Sequence, residues 1–326
     1  MSQPTRQGIS NGAHGHSLLK AHCKRLVALQ GPVLGDSDAE PLHQLRVTMR
    51  RLRATLAQFG PCLVLPNEVN DRRLAKSVQR LGVARDLDVL RDRLEAVLLP
   101  QLPQPEQQRL KPVRRQLARE RRLAGEQLAS VLKSSRHLEL IAQLQAWLKQ
   151  PRYTALGEEP LLHWIPEWTL PASTSLMLHP GWWLERPGQD SASLHSLRRQ
   201  LRSLRYRLEN LEAYLSPAGC QWIADLKQGQ SLLGELNDLD VLRRAIADQS
   251  ADGLEDSLPQ LAWLLEQNRL HCWRRWRQLS EGVHDQASRR QRLANLARSG
   301  RAGRGWASGS WQTWRRALID FASRLR

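Results

Sequence analysis

Leucines recur every three or four residues along most of this chain. In "LHQLRVTMRRLRATL" (42–56) the apolar positions are Leu42, Leu45, Met49, Leu52 and Leu56. A helix turns about 100° per residue, so these five fall on one stripe. The same spacing predicts helices near 17–30, 39–59, 67–82, 85–98, 104–133 and 135–149. A second set is expected near 192–215, 217–233, 236–249, 255–284 and 311–325. Leu, Ala, Arg and Gln dominate and β-branched residues are few, a composition that favours helix. The fold class is therefore all-α.

Boundary residues sharpen some of these elements. Ser37 with Glu40 reads as a capping box, and Ser216 followed by Pro217 as an N-cap and first helical position. Leu-Gly at 81–82 and at 233–234 reads as a break that opens a new helix carrying Asp86 and Asp88, or Asp238 and Asp240. The stretch 151–190 holds Pro151, Pro160, Pro166, Pro171, Pro180 and Pro187, which speak against a long helix there. With Trp164, Trp168, Trp182 and Trp183 it reads as an ordered connector whose aromatics fill gaps between two bundles. The four glycines of 299–310 mark a flexible loop. The expected organisation is a first bundle over 10–150, the connector over 151–190 and a second bundle over 191–326.

The pattern at 42–56 recurs as "LHSLRRQLRSLRYRL" at 194–208. His43, Arg46, Arg50 and Arg53 align with His195, Arg198, Arg202 and Arg205 at an offset of 152. Downstream, "LGVARDLDVL" (81–90) matches "LGELNDLDVL" (233–242) in the same register. Two motifs holding one register imply two copies of one helical unit, related by a pseudo-two-fold axis.

Charge then gives the second stripe its meaning. The His/Arg row lies roughly 110° round the helix from the leucines, bordering the core. Like charges at this spacing repel, so the row needs carboxylates or a bound anion to offset it. Lys plus Arg number 49 against 32 Asp plus Glu, a net charge of +17. Residues 1–150 carry 25 basic and 13 acidic groups, against 24 and 19 in the remainder. Arg dominates the excess, and its planar fork suits phosphate oxygens. Lys20, Lys24, Lys76, Arg80 and Lys227 extend the basic surface. The expected partner is a polyanion.

Other chemistry is sparse. Cys23, Cys62, Cys220 and Cys272 form no Cys-x-x-Cys pair, which favours a reduced, cytoplasmic setting and argues against zinc. The N-terminal residues lack a signal-peptide core, and no apolar run is long enough to span a membrane. Each Asp-x-Asp reads as a helix-start cap and arginine partner ahead of a divalent-metal site. His43 and His195 read as structural first, phosphate contacts second and catalytic last. No cofactor and no catalytic residue are expected.

The duplicated His-x-x-Arg-x-x-x-Arg-x-x-Arg row, each copy followed by its Leu-Gly…Asp-Leu-Asp-Val-Leu segment, resembles the conserved histidine α-helical domain, CHAD. The resemblance covers most of 17–326. It implies two four-helix bundles with pseudo-two-fold symmetry and a basic central surface. It also implies non-catalytic binding of inorganic polyphosphate by His43, Arg46, Arg50, Arg53, His195, Arg198, Arg202 and Arg205, and leaves association with polyphosphate granules open. Nucleic acid is the alternative partner, although base reading calls for more stacking aromatics than this chain supplies. Phosphoanhydride hydrolysis through His and Asp-x-Asp ranks below both, because no phosphate-cradling glycine loop is present. The basic, amphipathic segment 311–325 could lie on a membrane, but a last bundle helix explains it more simply.

Overall fold

The computed structural model describes residues 8–36, 38–248 and 253–299, leaving aside the side chains of Lys76 and Ser77. The chain is all-α: no strand forms among the described residues, and the extended contacts are two isolated bridges, Ser10 with Pro160 and Leu63 with Tyr153. The helices are α1 (Asn11–Gly35), α2 (Ala39–Phe59), α3 (Asp71–Asp92), α4 (Gln104–Arg109), α5 (Lys111–Lys133), α6 (Ser135–Lys149), α7 (Ala155–Glu158), α8 (Leu161–Met177), α9 (Ser191–Glu209), α10 (Pro217–Ala247), α11 (Leu254–Ser257), α12 (Pro259–His284) and α13 (Gln286–Arg298). The Gly-rich stretch beyond Ser299 and the helix expected at 311–325 lie outside the described residues.

Several expectations give way. Neither Leu-Gly pair breaks a helix: α3 runs unbroken through Gly82, and α10 runs through Gly234. Asp86, Asp88, Asp238 and Asp240 therefore sit mid-helix and are not N-caps. An isolated glycine costs a helix only about 1 kcal/mol, and the buried stripe on each side outweighs that. A Cβ added at Gly82 would meet no atom within 4 Å. Gly82→Ala is thus expected to stabilise the protein by about 0.5–1 kcal/mol in urea denaturation; a loss of stability would mean that a kink is required there.

The prolines of 151–190 do not exclude a helix either. α8 contains Pro166 and Pro171, yet buries Leu161, Ile165, Thr169, Ser173 and Leu176 on one face. Pro171 faces outward, and the Thr169 and Ser173 hydroxyls donate to carbonyls four residues back, both at 2.8 Å. α8 precedes α9 much as α1 precedes α2. Trp182 is buried and stacks on Trp276 of α12 at 5.0 Å, while the Trp168 indole donates to the Asn11 side chain of α1.

Caps and bounds shift as well. Asp38 caps α2 through the Glu40 amide; Ser37 lies outside the described residues. Ser216 caps α10 as expected, accepting from the Gly219 amide, with Pro217 in the first turn. The helix expected at 104–133 divides at Leu110 into α4 and α5. α13 was not expected at all; Asp285 caps it, and its sequence is too polar to advertise a buried stripe.

Two apolar cores result. One joins α1, α2, the first turns of α3, the end of α5 and α6. The other joins α9, α10, α12 and Leu296 of α13 with Leu90, Leu94, Leu98, Leu110, Val113 and Leu117. α3 and α5 therefore run through both cores. A polar seam lies between α2 and α9. The Asn210 amide donates to Gln58 Oε1 (2.9 Å), the Thr55 hydroxyl donates to Asn210 Oδ1 (3.4 Å), and the Gln58 amide donates to the Arg207 carbonyl (3.3 Å). His14 Nε2 of α1 donates to the Asn210 carbonyl at 2.7 Å. Gln58 and Asn210 are 152 residues apart, so equivalent positions of the repeat touch each other.

Candidate functional site

Packing α2 against α9 brings the two His/Arg rows together, because each row borders its own helix's leucine stripe. Leu45, Met49 and Leu52 are buried on α2, as are Leu197, Leu201 and Leu204 on α9. The polar seam fixes the register at the far end of both helices. Arg50 and Arg202, again 152 apart, then lie within electrostatic reach of each other.

Burial and neighbouring positive charge both bear on this central pair. Burial lowers the Arg50 pKa first, then the charges of Arg46 and Arg202, to about 9. Arg202 is lowered by burial first and then by Arg198, with smaller effects from Arg46 and Arg205. Both guanidiniums remain protonated at pH 7. Neither has a carboxylate partner among the described residues. The Nε atoms of Arg46 and Arg198 are buried without a hydrogen-bond partner.

The flanking arginines are tethered. Arg46 Nη1 donates to Asp86 Oδ1 at 2.6 Å. Arg53 grips Asp71, at the start of α3, through Nε (2.7 Å) and Nη2 (2.8 Å). That contact lowers the Asp71 pKa. Arg205 pairs with Glu209 (2.5 Å), donates to Gln230 of α10 (3.0 Å) and stacks over the Tyr206 ring at 4.4 Å. Glu209 also receives Arg51 of α2 at 3.0 Å, tying the two helices together. Asp88 pairs with Arg121 of α5 at 2.7 Å, and Asp240 with Arg269 of α12 at 3.2 Å. The carboxylates of each Asp-x-Asp thus point to different partners. Among the described residues, no group of three His, Cys, Asp or Glu side chains comes together that could hold a metal ion.

His43 and His195 are both exposed at the near ends of the rows. The His43 pKa is lowered by burial first and then by Arg85. The His195 pKa is lowered by burial first and then by Arg199 and Arg198, while a hydrogen bond to Asn237 acts the other way. Both imidazoles are mainly neutral at pH 7.

The remaining expected residues are more dispersed. Lys20 and Lys24 are exposed on α1, and Lys227 is exposed on α10. Arg80 is exposed on α3 and donates to Gln127 of α5 at 2.7 Å. The Lys76 side chain lies outside the described residues. Sequence reasoning missed Arg85, Tyr206 and Asn237. Tyr206 carried a signal, being four residues beyond Arg202 on the same helix, but Arg85 and Asn237 are placed only by packing across helices.

An all-helical chain with arginine rows on two packed helices, α2 and α9, belongs to a recognisable class. The family model "CHAD domain" matches residues 17–247, and the chain belongs to the CHAD domain family. The fold is similar to that of the CHAD domain from the plant Ricinus communis, with a TM-score of 0.61 and 22% identity over 91% of this chain and 95% of that one. It is also similar to PptA from Streptomyces chartreusis, with a TM-score of 0.63 and 18% identity over 84% of this chain and 99% of that one. Among curated proteins no sequence matches. No described helix is long and apolar enough to cross a membrane.

Proposed function

We propose that this protein binds inorganic polyphosphate, without chemistry on it, along the seam between α2 and α9. One observation carries the reading: Arg50 and Arg202 are half-buried, lie within electrostatic reach of each other across the packed helices, and form no ion pair with a carboxylate among the described residues. Their mutual repulsion is relieved when phosphate oxygens sit between them. Arg198 and Arg46 supply further donors on either side, and a linked chain of phosphates spans the row where a single ion engages only part of it. The contact of Gln58 with Asn210 and the electrostatic influence of Arg202 on Arg50, both between positions 152 apart, support a two-fold arrangement of the seam.

Polyphosphate fits better than nucleic acid because its charges are closer spaced and nothing beside the row offers a base to stack on. The aromatic nearest the arginines, Tyr206, is buried beneath Arg205. Competition at equal phosphate concentration tests the choice. Long-chain polyphosphate is expected to displace single-stranded RNA and heparin, with affinity falling steeply with salt. Displacement of polyphosphate by RNA would favour the nucleic-acid reading.

The histidines give the binding a pH signature. In the free protein their pKa values lie below the ordinary 6.5. A bound polyanion favours the protonated form and raises them, so binding takes up protons. Affinity is expected to strengthen as pH falls through the raised pKa and to level off below the free-protein value. Replacing His43 and His195 together by Gln should flatten that dependence between pH 7 and the plateau, measured at constant ionic strength. An unchanged profile would remove the histidines from the site.

A further inference from the structure

Asp86 is a carboxylate whose charge reaches the unpaired Arg50, and it holds Arg46 from an exposed position. Its partner Arg46 is largely buried, with a side chain only 11% exposed, whereas the Asp86 side chain is 65% exposed. A structural ion pair gains by being sheltered, as Asp88 is with Arg121, where the carboxylate is only 2% exposed. Asp86 instead reaches from the surface to cover one edge of Arg46. Its charge registers on Arg50 as well and on Asp238, the residue 152 positions away. Asp238 is within reach of Arg198 but forms no ion pair with it among the described residues. Arg46 carries a carboxylate in direct contact, whereas Arg198 carries none among the described residues.

Resting on the polyphosphate reading, we infer that Asp86 is a selectivity residue, a built-in competitor that an incoming anion must displace from Arg46. A carboxylate and a phosphate oxygen seek the same guanidinium edge. A short anion that contacts Arg50, Arg202 and Arg198 leaves Asp86 on Arg46 and meets the repulsion of its charge, which also reaches Arg50. A long chain engages those three arginines first and holds its next phosphates at high effective concentration beside Arg46, so displacement follows. Asp86, already mostly in water, then swings away at little cost. The covered arginine thus sets a minimum number of linked phosphates for full engagement and discriminates against isolated anions.

Calorimetric titration of the full chain with tripolyphosphate and with long-chain polyphosphate tests this. Asp86→Asn and Asp86→Ser are compared with wild type. Glu281→Gln, which removes an exposed carboxylate from α12, controls for net charge. Both Asp86 variants are expected to bind tripolyphosphate roughly three- to tenfold tighter, with a smaller gain for the long chain and none from Glu281→Gln. The inference is overturned if the Asp86 variants bind tripolyphosphate no tighter or more weakly, or if Glu281→Gln gains equally. Wild-type binding of long-chain polyphosphate, measured in the same series, separates the two claims. If it binds and Asp86 has no effect, only the competitor role fails. If neither wild type nor variant binds any chain length, the polyphosphate reading falls and takes this inference with it.

Discussion

Replacing Arg50 and Arg202 together by Gln is expected to weaken long-chain polyphosphate binding by at least about a hundredfold while leaving the fold intact. Each guanidinium supplies charge-assisted hydrogen bonds worth about 1.5–3 kcal/mol, so two of them account for about 3–6 kcal/mol. No carboxylate depends on either residue among the described residues, so neither removal strands a partner. Relief of repulsion should leave the melting temperature unchanged or slightly raised. This separates the pair from Arg53, whose loss would leave Asp71 without its arginine, and from Arg205, whose loss would take one of the two arginines from Glu209. A double variant that binds as wild type, or one that unfolds, would contradict this assignment. The salt dependence should also become shallower, because fewer phosphates are neutralised.

The second large effect is expected at the polar seam. Asn210→Ala removes the donor to Gln58 Oε1 and the acceptor for Thr55, leaving buried polar atoms without partners. Such a loss costs about 2–4 kcal/mol when the orphaned groups stay buried. Because the same contacts hold α2 in register with α9, polyphosphate affinity should fall too, by less than in the arginine double variant. Replacing Gln58 and Asn210 together by Leu should recover part of the stability, since the Gln58 amide is no longer stranded, while the Thr55 hydroxyl and the Arg207 carbonyl still lose their partners. Denaturant unfolding with unchanged stability for Asn210→Ala would show that water replaces the bonds and that the seam does not set the register.

Much of this architecture is legible in the sequence because leucine spacing reports the buried face directly. The stripe at Leu42, Leu45, Met49, Leu52 and Leu56 is buried as its periodicity predicts, and the Arg row borders it. The 152-residue register carries further than expected, since residues related by it meet in space at Gln58 with Asn210. Local rules misled where tertiary packing outweighed them. Gly82 and Gly234 did not break their helices, because a glycine penalty of about 1 kcal/mol is small beside a long buried face. Pro166 and Pro171 did not end α8, whose buried stripe at four-residue spacing pays for the lost backbone bonds. Which arginines are free could not be read from spacing at all. Arg53 and Arg50 look alike on the helix, yet only Arg53 meets Asp71, which arrives from the next helix.

That difference also reverses an impression left by composition. The first half carries the larger net charge, with 25 basic and 13 acidic groups in residues 1–150. Two of its three row arginines are nonetheless neutralised by Asp86 and Asp71, whereas Arg198 and Arg202 of the second half have no carboxylate in contact among the described residues. On the proposed reading, an anion seats at the uncompensated charge of the seam, whatever the sum of charges on each half.

A structure determined with a short polyphosphate bound would test the central claim most directly. Phosphorus density is expected between the Arg50 and Arg202 guanidiniums, extending toward Arg198. Density confined to exposed basic residues elsewhere, such as Arg115 and Arg119 of α5, with Arg50 and Arg202 untouched, would contradict it.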